Sequence, residues 1–100
     1  MRLITQKRIK EWQKEFANEK ARLAAWVVKI EAGEWTNLVE LRQVFPTADA
    51  VTVKSGRSAL VFDIGGRRLI CIHFWKSHTL YVKFFLSHDE YMQGSWKLNL

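Results

Sequence analysis

At 100 residues, 48% of them hydrophobic and 13% aromatic with five Trp, the chain has enough apolar material for one packed domain spanning residues 1–100. That length and composition exclude a second domain and intrinsic disorder. The net charge of +6 and the single cysteine, Cys71, point to a polyanionic partner and a reducing compartment. With no stretch approaching the roughly 20 apolar residues of a membrane span, the expectation is a soluble cytoplasmic protein with no membrane partner.

The chain opens with a short predicted strand at Arg2–Ile4. Thr5 is the expected N-cap of a first helix, in which Ile9, Trp12 and Phe16 recur at the spacing of one helical face. Asn18 is the expected cap of a second helix, where Leu23, Trp26 and Ile30 repeat the pattern, and Gly33 is expected to end it in a left-handed conformation. Lys7, Lys10 and Lys14 alternate with Glu11 and Glu15, the pattern of a solvated face. Asn37 and Glu40 stand three apart as in a capping box, so a brief third helix is predicted over Leu38–Val44, stopped by Phe45-Pro46.

Strands follow. Ala50–Lys54, Ala59–Ile64, Leu69–Trp75 and Leu80–Leu86 are rich in β-branched and aromatic residues, with turns at Ser55-Gly56, Gly65-Gly66 and Ser77-His78. The predicted class is α+β: a short N-terminal strand and a helical hairpin packed on a mainly antiparallel four-stranded sheet, with a short C-terminal helix or tail. The central strands are apolar on both faces, so helices should cover one side and something else part of the other. A two-residue turn at Gly65-Gly66 sets Arg68 opposite Asp63. A two-residue turn at Ser77-His78 would set Arg68 opposite Ser87 and Ile72 opposite Lys83, with Arg68 and Lys83 on one face.

The last strand breaks into Ser87, His88, Asp89, Glu90 and Tyr91, and hairpin geometry brings Arg67 and Arg68 toward the same sheet edge. Residues 51–86 hold Lys54, Arg57, Arg67, Arg68, Lys76 and Lys83 against Asp63 alone. That excess suits a phosphate backbone, although it also describes a solvated basic surface. His88 and Tyr91, at i and i+3, share one side of any helical turn they begin. His73 reads as a satisfied core or edge histidine and His78 as a turn residue. The spacing of the three His and one Cys fits no zinc site, and no cofactor motif is present.

The ordered segments Leu3-Ile4-Thr5-Gln6-Lys7, Glu34-Trp35, Phe45-Pro46-Thr47-Ala48, Val61-Phe62-Asp63-Ile64-Gly65-Gly66, Arg68-Leu69-Ile70 and Ser87-His88-Asp89-Glu90-Tyr91 resemble the HigB toxins of the RelE/ParE superfamily. The resemblance implies a RelE-like fold and a type II toxin: an mRNA interferase that cuts messages on the ribosome. It also implies a HigA-like antitoxin carrying a helix-turn-helix domain, in a toxin–antitoxin hetero-oligomer. It places catalytic roles on Arg68, His88 and Tyr91; the charge excess along the strands makes Arg57, Arg67, Lys83 and Lys54 candidate RNA contacts. The chain departs from the family pattern in a hairpin about two residues shorter at Gly65-Gly66, in Ser87 where Thr is usual, and in Met92 where Asp is usual. RNA cleavage without a metal requires deprotonation of a 2′-hydroxyl, neutralisation of the phosphate and protonation of the leaving oxygen. A guanidinium, an imidazole and a phenol suit those tasks. The alternatives are a non-catalytic nucleic-acid-binding module using the same basic face with Trp75, Tyr81 or Phe85 available for base stacking, a gyrase-poisoning relative, or an inactive toxin-like protein that only binds an antitoxin.

Overall fold

The computed structural model describes residues 1–4 and 6–100. Its elements in chain order are β1 (Arg2–Ile4), α1 (Gln6–Glu15), a 3₁₀ turn (Ala17–Glu19), α2 (Lys20–Ala32), α3 (Leu38–Val44), β2 (Asp49–Thr52), β3 (Ser58–Ile64), β4 (Arg67–Phe74), β5 (Thr79–Leu86), α4 (His88–Gln93) and a closing 3₁₀ turn (Ser95–Asn99). The α+β class agrees with the sequence reading. The sheet has five strands in the order β1-β5-β4-β3-β2, because β1 joins the expected four as a parallel partner of β5.

Strand alternation divides the core in two. Leu60, Phe62, Leu69, Cys71, Leu80 and Val82 face Ile9 of α1 and Leu23, Trp26 and Ile30 of α2. On the opposite face Ala59, Val61, Ile70 and Ile72 pack against Trp96 from the closing 3₁₀ turn, flanked by Phe84, Leu86 and Tyr91. The chain's own tail therefore supplies part of the cover that the second face required. Burying a Trp of this kind removes about 150–250 Å² from water, worth about 4–6 kcal/mol before the entropy of ordering the tail is counted.

Several local expectations are corrected. Asn18 lies inside the 3₁₀ turn, and Glu19 takes the N-cap position of α2 without a side-chain cap. Gly33 ends α2 in an extended conformation, φ −109°. It is a glycine for space, since a Cβ there would stand 2.2 Å from the Trp35 ring. The left-handed cap occurs instead at Gly94, after α4, with φ 77°. The expected cap at Thr5 lies outside the described residues. Asn37 does cap α3, its side chain accepting from the Glu40 N–H at 2.9 Å.

The β3–β4 hairpin turns at Gly65 and Gly66, φ +58° and +88°, and sets Asp63 opposite Arg68 as the two-residue turn requires. The β4–β5 connection is longer than expected. His78 adopts φ 51° and donates its N–H to the Trp75 carbonyl, so the strands pair from Phe74↔Thr79 and Ile72 lies opposite Tyr81 rather than Lys83. A bulge between Ile70 and Cys71 then shifts the register, placing Arg68 opposite Leu86 rather than Ser87. Lys83 is the extra residue on β5. Its carbonyl, on the stretch beyond the end of β1, accepts a 2.6 Å hydrogen bond from Nη1 of Arg8.

Candidate active site

α4 lies across the end of the sheet because Ser87 starts it with a reciprocal cap. The Ser87 Oγ accepts from the Glu90 N–H at 3.2 Å, and Glu90 Oε1 accepts from the Ser87 N–H at 3.0 Å. The Ser87 N–H, then its hydroxyl, and the nearby Arg67 charge hold the Glu90 carboxyl below the usual carboxylate range. This cap fixes the helical turn that carries His88 and Tyr91.

Arg67 and Arg68, adjacent in sequence, take opposite faces at that end. The Arg67 guanidinium lies 3.8 Å from the centroid of the Phe16 ring, 5.3 Å from that of Phe85, and 4.0 Å from Glu90. It is on the helix-covered face, so the guanidinium pair expected at one edge is split. Arg68 is on the other face. Its Nη1 donates to Asp63 Oδ1 at 3.0 Å and lies 3.4 Å from the Gly66 carbonyl and 3.5 Å from that of Arg67. These contacts all use Nη1, one part of a guanidinium that carries five N–H donors.

Tyr91 joins Arg68. Its ring centroid is 5.8 Å from the Arg68 guanidinium carbon and 5.5 Å from the Trp96 ring, stacked at 17°. Trp96 Nε1 donates to the Tyr91 carbonyl at 3.0 Å, so the same Trp closes the second core and fixes the phenol. His88 is exposed on the first turn of α4, three residues before Tyr91. Met92 is exposed beside them on α4.

Two other candidate cations lie farther along the Arg68 face. Lys83 and Arg57 line a groove of about 170 Å³ with Ile72, Phe74 and Tyr81. Lys54, in the β2–β3 turn, donates its N–H to the Lys97 carbonyl at 3.3 Å. Lys83 shares the face of Arg68, by alternation from Tyr81 rather than by the expected pairing with Ile72. His73 is half-buried on the helix side, 4.6 Å from the Trp75 ring, and burial holds its pKa down. Its Nδ1 lacks a hydrogen-bond partner among the described residues. Sequence reasoning missed the covering role of Trp96 and the capping role of Glu90. The unmet need to cover the second face was the signal for Trp96, and the S-x-x-E spacing was the signal for Glu90.

The family described as "HigB_toxin, RelE-like toxic component of a toxin-antitoxin system" has a model that matches residues 19–94. The chain is 31% identical over 93 residues to the mRNA interferase toxin HigB of Escherichia coli (strain K12), a match covering 91% of this chain and 88% of that protein. The proteins called mRNA interferase HigB in Escherichia coli O157:H7 and Shigella flexneri match with the same identity and coverage.

Proposed function

The chain belongs to the HigB family of RelE-like toxins, and on that premise we propose that it cuts mRNA at the sheet end carrying Arg68, His88 and Tyr91. It is the toxin of a toxin–antitoxin pair and an mRNA interferase, that is, an endoribonuclease, with an antitoxin and mRNA as its partners. No helix among the described residues is long and apolar enough to cross a membrane. The observation that supports the site is the approach of the Tyr91 ring to Arg68, at 5.8 Å, on the face opposite the helical layer.

The reaction is an internal displacement. The 2′-oxygen bonds to phosphorus as the P–O5′ bond breaks, leaving a 2′,3′-cyclic phosphate and a 5′-hydroxyl. One proton leaves the 2′-hydroxyl and another reaches O5′. Arg68 takes the phosphate oxygens in competition with Asp63, whose carboxylate is 42% exposed. His88 and Tyr91 divide the two proton transfers. Translating ribosomes orient the message, which converts a modest set of side chains into an effective site. The antitoxin is HigA-like and holds the toxin in a hetero-oligomer in the cytoplasm.

Primer extension on a defined mRNA, with and without translating ribosomes, tests this reading. The expected result is ribosome-dependent cuts made by the wild type and lost in Arg68→Ala and His88→Ala. Undiminished cutting by either folded variant would remove that residue from the site, and no cutting by folded wild type would overturn the catalytic reading.

A further inference from the structure

Along β4, alternation puts Arg68, Ile70, Ile72 and Phe74 on one face. Tyr81, directly opposite Ile72, joins them. Lys83 follows Tyr81 by two residues and keeps that face, while Phe84 and Leu86 also reach it because the bulge at Lys83 inserts an extra residue. The bulge thus gathers on one surface side chains that strict alternation would divide between two.

Two aromatic side chains on this surface are left open to solvent. Phe74 is 47% exposed and Tyr81 is 36% exposed, with ring centroids 5.7 Å apart and planes at 83°. Arg57 and Lys83 flank them in the same groove, and no acid lines it. We propose that the Phe74–Tyr81 pair is a base-stacking subsite for single-stranded RNA, with Arg57 and Lys83 on the adjoining phosphates. This rests on the mRNA-cleaving reading and adds to it the course of the substrate away from Arg68. Phe74 stands six residue steps from Arg68 along β4, about 20 Å at roughly 3.3 Å per residue. Phe84 and Leu86, opposite Ile70 and Arg68, line a second groove of about 190 Å³ with Gln93, Trp96 and Glu90, whose carboxylate already accepts from the Ser87 N–H at 3.0 Å.

Two adjacent rings flanked by cations match neighbouring bases and phosphates of a single strand. A protein partner fits less well. A stable protein interface buries about 800 Å² on each side around an apolar centre, and two perpendicular rings ringed by cations supply only a small part of that.

The test is fluorescence anisotropy with a 2′-O-methylated single-stranded RNA, which lacks the nucleophile and so separates binding from cutting. Phe74→Ala and Tyr81→Leu should each weaken binding about tenfold, the scale of one lost stacked base. Tyr81→Phe and Phe74→Trp should retain it. Because the rings are exposed, melting temperatures should stay within a few degrees of wild type. Unchanged RNA affinity in Phe74→Ala and Tyr81→Leu, with Arg68→Ala still abolishing cleavage, would overturn the subsite and leave the proposed function standing. Loss of co-purifying antitoxin with RNA affinity intact would assign the rings to a protein surface instead. Wild type that neither binds nor cuts RNA would overturn both readings.

Discussion

Arg67 and Arg68 are the same residue type one position apart, and the pleat alone gives them different work. Arg67 lies against Phe16 and Phe85, where cation–π attraction of about 0.5–2 kcal/mol offsets the loss of water. Arg67→Ala should therefore lower stability by about 1–2 kcal/mol in a denaturant melt. Arg68 lies across from Asp63 in a partly exposed pair worth about 0.2–1 kcal/mol. Arg68→Ala should leave the melt nearly unchanged while cutting falls at least about 100-fold, the scale of one lost group that stabilises developing charge. A variant that unfolds would show that Arg68 serves the scaffold. Cys71 is fully buried, and burial pushes its thiol far above the ordinary range. It should resist iodoacetamide in the native protein and react once denaturant is added, as mass spectrometry would report; rapid native labelling would contradict that burial.

α4 has six residues, too few to hold a helix in water without help. The Ser87–Glu90 cap supplies that help and thereby sets His88 and Tyr91. Glu90 has a lowered folded-state pKa, so its contribution is complete above the ordinary carboxylate range, roughly pH 4, and is lost as pH falls through the lowered value. Glu90→Gln should accordingly melt below wild type at pH 7, with the gap closing toward pH 3; a gap independent of pH would show that the charge is irrelevant. The β3–β4 hairpin is equally exacting. A Cβ on Gly65 would stand 1.9 Å from the Glu19 carboxylate, on a backbone of φ +58°. Gly65→Ala should cost about 1–2 kcal/mol, the left-handed penalty alone, before any displacement of Glu19. A neutral Gly65→Ala melt would show that the turn relaxes freely.

For the whole molecule, the decisive contact is the tail closing over the second sheet face. Trp96→Ala should lose about 3–5 kcal/mol and, by freeing the Tyr91 ring, reduce cutting even at temperatures where the variant stays folded. Full activity in a folded Trp96→Ala would separate the cover from the site. The class, the helices and the strands were legible because hydrophobic periodicity is written in neighbouring residues: Leu23, Trp26 and Ile30 mark one helix face, and Gly65-Gly66 fixes Asp63 opposite Arg68. Asn18 and Gly33 misled because side-chain type suggests a cap, whereas Asn18 falls inside a 3₁₀ turn and Gly33 is needed for the space that the Trp35 ring takes. The sequence by itself determined an α+β chain of the HigB type with its cations along the strands. The tertiary structure alone decided the β4–β5 register, the face of Arg67 and the covering role of Trp96. Those depend on a left-handed His78, on a bulge at Lys83 and on contacts between residues distant in the chain, which no local pattern encodes.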